Sequence, residues 1–214
     1  MVLQIGSATS VGQVRDHNED AAWFSNNVFV VCDGMGGHLA GEVASALAVN
    51  IIKEYPFSLE QPIIDIESAI NQAHQKIREQ ALQPAYNGMG TTITLAVINF
   101  DSESNRYCAH LGHVGDSRAY LYHLDQLQQI TNDHSVVGEL IRTGGITKLE
   151  AYSHPHRHVV TQALGIGEIK IETHSLLLAS GDKLLLCSDG LTDVVDDPTI
   201  AKTISSLPPQ EAAN

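Results

Sequence analysis

Cysteine is scarce in this chain, and its spacing argues against the common cysteine-based sites. The three cysteines, Cys32, Cys108 and Cys187, are odd in number, and no two of them form a Cys-x-x-Cys pair. Each lies in or beside an apolar segment, where reduced cysteine behaves as a small core residue. The sequence therefore predicts three reduced core cysteines rather than a zinc site.

The chain also has few basic residues and no long apolar segments. Twelve Lys and Arg stand against 25 Asp and Glu, which gives a formal net charge of -13 at pH 7. So acidic a chain is a poor partner for a nucleic-acid backbone or an anionic membrane. No segment approaches the roughly 18 apolar residues of a membrane span, and no secretion signal stands at the start. We therefore expect a cytoplasmic protein, with no nucleic-acid or membrane partner.

The bulk composition is that of a folded globular protein. The chain has 214 residues, of which 43% are hydrophobic and 17% charged. This length is enough for one domain with a sizeable core. We expect one domain over residues 1–214 and a monomer. If the substrate is an anion, something other than the overall charge must attract it.

One stretch, residues 28–38, has the pattern of a buried strand that ends in a site. Five apolar residues precede Asp33, and three glycines follow it at positions 34, 36 and 37. A glycine-rich turn leaves room beside the carboxylate and permits unusual backbone angles. A plain turn capped by the Asp33 side chain is the alternative.

The rest of the chain divides into helical and strand-like parts. Apolar spacing predicts helices over 41–55 and 66–81, the second of which is stopped by Pro84. Residues rich in β-branched side chains, with turn signals between them, predict an antiparallel meander. The predicted strands span 91–100, 106–114, 118–122, 169–178 and 183–188. The polar segment between the third and fourth of these strands, residues 132–164, is predicted to form a flap or insertion over the sheet.

Carboxylates recur beside glycine where these strands end. The pairs are Asp33-Gly34, Gly115-Asp116 and Asp189-Gly190, with Glu19, Asp20 and Asp193 as further acidic residues. Two carboxylates about 4 Å apart repel by about 4 kcal/mol at an effective dielectric of 20, so a cluster needs cations or raised pKa values. Oxygen ligands alone favour Mg²⁺ or Mn²⁺. Bound divalent ions would also let an acidic protein hold a phosphate.

Six motifs together resemble the metal-dependent serine/threonine protein phosphatases of type 2C, in the compact bacterial form. They occur in the order seen in that family and span residues 6–193. The motifs are Arg15-x-x-Asn18-Glu19-Asp20, Asp33-Gly34-Met35-Gly36-Gly37-His38, Gly90-Thr91-Thr92, Val114-Gly115-Asp116-Ser117-Arg118, Asp133-His134-Ser135 and Ser188-Asp189-Gly190-Leu191-Thr192-Asp193.

The resemblance implies an α+β fold, a four-layer α-β-β-α sandwich with two central antiparallel β-sheets flanked by helices. Residues of about 133–165 would form the flap beside the cleft. The implied activity is hydrolysis of phosphoserine and phosphothreonine in proteins that a kinase pathway has phosphorylated. Attack would come directly from a hydroxide bridging two Mg²⁺ or Mn²⁺ ions.

The same resemblance implies roles for individual residues. Asp33 would bridge the two ions, the Gly34 carbonyl and Glu19 would contact one of them, and Asp189 would ligate the other. Asp20 would orient metal-bound water. Arg15 would hold the substrate phosphate as a bidentate donor. Asp116, with Asp189 or Asp193, would bind a third and weaker ion.

Two departures from the family pattern shape these expectations. The turn of the animal enzymes resembles Asp-Gly-His, and Met35 occupies the position of that histidine in this chain. The general acid is therefore left open between His38 and metal-bound water. The chain also has no Asp-Asn pair, so the final metal-ligand aspartate of the family has no counterpart. We expect a C-terminal end that is truncated relative to the family, with weaker metal binding and stability. A catalytically impaired phosphatase-like binding or regulatory module is therefore the alternative function.

Three other interpretations have less support: a serine hydrolase, a dinucleotide site and a transition-metal site. Ser117 follows Gly-Asp in a pattern that loosely resembles the nucleophile elbow of serine hydrolases. That motif needs a helix after the serine, whereas a strand pattern follows Ser117. The glycines from Gly34 lack the third glycine of a dinucleotide site, because position 39 is Leu39. His154, His156 and His158 could suggest transition-metal binding, but histidines in a polar flap segment are more often surface residues.

Overall fold

Nine strands form two antiparallel sheets in the part of the chain that the computed structural model describes, which comprises residues 3–13, 15–36, 40–58, 60–102 and 105–214. The strands are β1 (Asp20–Phe24), β2 (Val28–Met35), β3 (Gly90–Thr91), β4 (Ile93–Asp101), β5 (Arg106–Val114), β6 (Arg118–His123), β7 (Gln126–Gln129), β8 (Glu172–Leu178) and β9 (Lys183–Cys187). The larger sheet has the order β1-β2-β4-β5-β8, with β3 also paired to β2, and the smaller sheet has the order β7-β6-β9. Because β5 and β6 belong to different sheets, the turn between them crosses from one sheet to the other.

Helices cover the outer faces of both sheets. They are α1 (Ala40–Glu54), α2 (Pro62–Ala81), α3 (Val136–Arg142), α4 (Lys148–Ala151), α5 (Asp189–Thr192), α6 (Asp197–Ser206) and α7 (Pro209–Ala213), with a 3₁₀ turn at Pro84–Tyr86. Helices α1 and α2 pack on the larger sheet, whereas α6 packs on β6 and β7 of the smaller one. The layers are therefore helix, sheet, sheet and helix.

Strand β4 shows how alternation builds this sandwich. Its residues Ile93, Leu95 and Val97 are fully buried in the core that the larger sheet shares with α1 and α2. The intervening Ala96 belongs to a second core, where Leu111 of β5 meets Ala119 of β6. Successive side chains of a strand point to opposite faces, so a continuous apolar run serves both cores.

The structure confirms the predicted α+β fold with two antiparallel sheets and flanking helices. The first two helices match their predicted ends closely, because α1 spans Ala40–Glu54 and α2 ends at Ala81. The strand predicted from position 169 begins only at Glu172, because its partner β5 ends near His113 and leaves the earlier residues unpaired. None of the helices in the described ranges is both long and apolar enough to cross a bilayer.

Gly112 tests the contact between α2 and the larger sheet. A Cβ added at this β5 position would lie 2.2 Å from Cγ2 of Ile66, which is fully buried and cannot move aside. We expect Gly112→Ala to destabilise the protein by about 1–3 kcal/mol, because overpacking forces core shifts. Thermal or urea unfolding measures this loss.

Gly145→Ala is the matched control. Its Cβ would meet Leu140 at an ordinary 3.4 Å, so we expect a change within about 0.5 kcal/mol. Equal stability of the two variants would contradict the packing of α2 described above.

Candidate metal centre

Two of the predicted site residues face each other across the first hairpin. Asp20, the first residue of β1, is the direct antiparallel partner of Asp33 in β2. Directly opposite residues of an antiparallel pair place their side chains on the same face of the sheet. The two carboxyl groups are accordingly close enough to hydrogen-bond to each other.

Two threonines fix the backbone of Asp33. Its N–H donates to Oγ1 of Thr92 at 2.9 Å, and its carbonyl accepts from the Thr91 hydroxyl at the same distance. Both threonines are buried. The Asp33 carboxyl thus sits on a rigid strand end and cannot withdraw by a shift of its own backbone.

The turn between β5 and β6 brings Asp116 to the same place. Gly115 has φ of +116°, a conformation that L side chains rarely adopt, and a Cβ there would also meet the Thr92 side chain. The buried Ser117 hydroxyl lies 2.7 Å from the Thr92 hydroxyl. His134 holds the other side of the turn, since its N–H donates to the Gly115 carbonyl and its Nδ1 accepts from the Gly115 N–H.

Asp189 reaches the cluster from the smaller sheet. It follows β9 and is the first residue of the short helix α5. The neighbouring Ser188 hydroxyl donates to Oδ2 of Asp20 at 2.7 Å, and the Asp189 carboxyl hydrogen-bonds to Asp33. The structure therefore brings Asp20, Asp33, Asp116 and Asp189 together from both sheets.

Burial and the proximity of these carboxyls raise the pKa values of three of them, Asp20, Asp33 and Asp116. Burial, followed by the charges of Asp20 and Asp189, raises the pKa of Asp33 to about 9. Burial and then Asp189 raise the pKa of Asp116 to about 7. Burial is also the main reason that the pKa of Asp20 is raised. Carboxyls that hydrogen-bond to one another need a proton or a cation between them, and a set made only of oxygen donors fits Mg²⁺ or Mn²⁺.

Glu19 and Gly34 lie beside this cluster. The Gly34 N–H donates to the Glu19 carbonyl at 3.0 Å. A Cβ at Gly41 would fall 2.4 Å from Oε1 of Glu19, so only glycine leaves room for that carboxyl at the start of α1. The Arg15 guanidinium lies 3.4 Å from Oε2 of Glu19, and its side chain is 75% exposed. Arg15 is thus free to turn towards a ligand in solvent.

Asp193 stands at the outer edge of the centre. Its Oδ2 lies 3.5 Å from Nδ1 of His158, and both side chains are about half exposed. His154 and His156, by contrast, contact each other. His156 and His158 are exposed, as predicted, whereas His154 is half-buried, and the contact of His158 with Asp193 was not predicted.

Sequence reasoning also missed the pairing of Arg118 with Asp133. The two form a bidentate ion pair with contacts of 2.6 and 2.9 Å, and both side chains are largely buried. Asp133 is thus paired with a cation, although its charge still contributes, after burial and Asp189, to the raised pKa of Asp116. Ser117 is buried and β6 starts directly after it, which excludes the nucleophile-elbow reading. His38, considered as a general acid, and Gly37 lie outside the described residues.

Comparison with known proteins agrees with the motifs. The family model described as Protein phosphatase 2C matches residues 10–212. The serine/threonine phosphatase stp of Listeria innocua is 37% identical over 213 residues, which cover 92% of this chain and 81% of that protein.

Solved structures give the same result. A crystal structure of the Mycobacterium tuberculosis serine/threonine phosphatase PstP/Ppp is similar with a TM-score of 0.86 and 36% identity, covering 94% of this chain and 85% of that one. The catalytic domain of PstP in complex with two manganese ions is similar with a TM-score of 0.82 and 33% identity, covering 94% and 84% of the two chains. The resemblance stated from the sequence is confirmed, whereas the roles of individual residues stay predictions.

The raised pKa of Asp33 predicts how the metal-free protein responds to pH. The Asp33 pKa rises from an ordinary 3.8 to about 9 on folding. The protonated carboxyl therefore favours the folded state fully below about pH 4, and this contribution is lost as the pH rises to about 9. With chelator present, we expect the Tm of the wild type to fall between about pH 5 and about pH 8.

Asp33→Asn should show a smaller dependence than the wild type, because an amide cannot ionise and only the raised pKa values of Asp116 and Asp20 then remain. We expect the metal-free variant to melt about 2–4 °C above the wild type at the higher pH, which corresponds to about 1 kcal/mol. A variant with a lower Tm than the wild type at that pH would show that the carboxyl repulsion is not what limits stability.

Proposed function

The chain belongs to the protein phosphatase 2C family and is a protein serine/threonine phosphatase, and we propose that it hydrolyses phosphoserine and phosphothreonine in proteins with two Mg²⁺ or Mn²⁺ ions. One observation carries this proposal: the carboxyls of Asp20, Asp33, Asp116 and Asp189 converge from both sheets, and burial together with this proximity raises the pKa values of Asp20, Asp33 and Asp116. Two manganese ions in the related PstP catalytic domain support it. A serine/threonine kinase would supply the phosphorylated substrates.

The ligand roles follow the positions of the carboxyls. Asp33 lies between Asp20 and Asp189 and hydrogen-bonds to both, which suits a carboxylate that bridges two ions. Asp189 would hold one ion from the side of the smaller sheet. The Gly34 carbonyl and Glu19, which lie together at the start of α1, would serve the other ion.

Two divalent ions would supply Lewis acidity for the phosphoryl oxygens and would lower the pKa of a water that attacks phosphorus. Asp20 would orient that water, which is supported by the hydrogen bond of its Oδ2 with Ser188 and by the contact of its carboxyl with Asp33. Arg15 would bind the phosphate with its planar guanidinium, which leaves Glu19 without breaking a strong contact. No side chain of the described cluster acts as a nucleophile in this proposal.

The segment of residues 133–165, the flap segment, would cover one side of the cleft. It starts at Asp133 and carries α3 and α4. Its far end returns to the larger sheet through paired backbone hydrogen bonds between Thr91 and Leu164. We propose that substrate proteins contact this segment beside the metal centre.

Asp33→Asn tests the bridging role through catalysis. We expect turnover of a small aryl phosphate with Mn²⁺ to fall at least about 100-fold, which is about 2.7 kcal/mol of transition-state stabilisation. The loss arises because an amide cannot bridge two cations with full charge. Initial rates with and without chelator give the measurement.

Asp125→Asn is the matched control, since Asp125 lies in the exposed β6–β7 turn in a conformation, φ of 61°, that asparagine also adopts. It should retain wild-type turnover. More than about 10% activity in Asp33→Asn, a loss below about 1.4 kcal/mol, would reject the bridging role. Absence of Mn²⁺-dependent turnover in the wild type would instead favour the binding-module alternative.

Asp116→Ala tests the proposed third ion independently of the two ions of the core site. Asp116 acts on Asp33 through its charge, which is the smallest of the causes that raise the Asp33 pKa. We expect Asp116→Ala to spare tight metal binding and to lower turnover by about tenfold or more, since only the weaker ion is lost. Calorimetric titration with Mn²⁺ that showed the tight sites missing would make the third-ion assignment wrong.

A further inference from the structure

His134 makes two reciprocal hydrogen bonds with the turn that carries Asp116. Its backbone N–H donates to the Gly115 carbonyl at 2.7 Å, and its ring Nδ1 accepts from the Gly115 N–H at 3.2 Å. Gly115 has φ of +116°, and Asp116 is the next residue. One residue thus binds both backbone polar groups of Gly115, so His134 is placed to fix the conformation of this turn.

The hydrogen bond from Gly115 determines which ring nitrogen of His134 carries the proton. A backbone N–H can only donate, so Nδ1 must be the unprotonated nitrogen. Nε2 then carries the proton, and it lies 3.4 Å from Oε2 of Glu172. A carboxylate in this position stabilises the tautomer that accepts from Gly115.

Glu172 is itself held by several hydrogen bonds. Its Oε1 accepts from the backbone N–H and the side-chain amide of Asn132 at 3.1 and 3.0 Å, and lies 2.5 Å from Nε2 of His174. Burial alone would raise the pKa of Glu172, but the hydrogen bonds with His134 and His174 lower it to about 2. The carboxylate is therefore ionised at neutral pH and can orient the His134 ring.

The His134 ring also packs on the ring of His113. The two ring centroids are 4.9 Å apart, and His113 is fully buried. Burial is the main reason that the pKa of His113 is lowered to about 4, so this ring is neutral beside His134. The His134 side chain is only 9% exposed. It is therefore held by packing as well as by hydrogen bonds.

We propose that His134 is a positioning residue for the phosphatase reaction, and that it holds the Gly115 turn so that the Asp116 carboxyl stays beside Asp33. His134 acts through Asp116 and makes no contact with the substrate. The inference rests on the proposed function, because Asp116 is taken there to contribute to turnover. The effect of His134 on the Gly115 backbone does not depend on hydrolysis.

Two substitutions separate the roles of the two ring nitrogens. Asn places an amide oxygen near the position of Nδ1, so it can still accept from the Gly115 N–H. Gln reaches towards the position of Nε2 instead and leaves that N–H without its acceptor. A residue that serves only to fill space would be replaced equally well or equally badly by both amides.

Turnover of a small aryl phosphate with Mn²⁺ is the first measurement. We expect His134→Gln to lose about tenfold, because residues that orient a metal ligand typically contribute 10–100-fold. His134→Asn should keep at least about half of the wild-type turnover. His123→Gln is the matched control and should match the wild type, since His123 is also paired with a carboxylate, Asp182, but ends β6 away from this turn.

The Asp116→Ala background shows whether His134 acts through Asp116. In that background His134→Gln should cause no further loss of turnover, because the residue that it positions is already absent. Glu172→Gln gives a second route if His134→Gln is too unstable to assay. Its amide can donate to Nε2, which favours the tautomer that cannot accept from Gly115, so the same loss is expected.

Hydrogen exchange of the Gly115 N–H, followed by NMR in the metal-free protein, is a readout that needs no activity. We expect this amide to be protected in the wild type and in His134→Asn, and to exchange about tenfold faster in His134→Gln.

Three outcomes would overturn the inference: wild-type turnover in His134→Gln, equal losses in the Gln and Asn variants, or a full tenfold loss in the Asp116→Ala background. The last two would give His134 a role in stability only. A wild type without Mn²⁺-dependent turnover rejects the hydrolytic role instead. Equal exchange of the Gly115 N–H in all variants rejects positioning by His134, whether or not the protein is active.

Discussion

Repulsion between carboxylates is the constraint on which the rest of the structure depends. Asp33 hydrogen-bonds to both Asp20 and Asp189, although free carboxylates would separate in solution, since two such charges about 4 Å apart repel by about 4 kcal/mol at an effective dielectric of 20. The scaffold prevents their separation. Asp33 is held on both sides of its peptide by Thr91 and Thr92. Such a cluster makes the metal-free protein less stable. In return, the ligands are already in position when cations bind.

The centre also depends on how closely the two sheets pack. The larger sheet carries Asp20 and Asp33, whereas Asp189 follows a strand of the smaller one. Between the sheets the second core contains the fully buried Ala96 and Ala119, whose small side chains allow a close approach. The β5–β6 turn passes from one sheet to the other and carries Asp116 at the crossing. A change in sheet packing would therefore move the ligands relative to one another without touching any of them.

The sequence predicted the strand ends well because their signals are local. Apolar runs that stop at Asp-Gly or Gly-Asp located Asp33, Asp116 and Asp189 at the edges of strands, and the structure brings them together. It could not predict that Asp20 is the direct partner of Asp33, because the register depends on the hairpin as a whole. The hydroxyl contacts of Thr92 with Ser117, and of Ser188 with Asp20, were missed for the same reason. Each joins residues far apart in the chain that only the packed sheets bring into contact.

The flap segment is attached by contacts of very different strength along its length. Its first residue, Asp133, is bound by the largely buried guanidinium of Arg118 in a bidentate pair that would be costly to break. Its outer part meets the helices through Lys148 with Asp197 and through His158 with Asp193, and these pairs are largely exposed. Exposed pairs contribute about 0–1 kcal/mol each, so they bias the position of the segment without fixing it. The buried pair at Asp133 and the backbone hydrogen bonds between Thr91 and Leu164 therefore anchor the two ends of the segment.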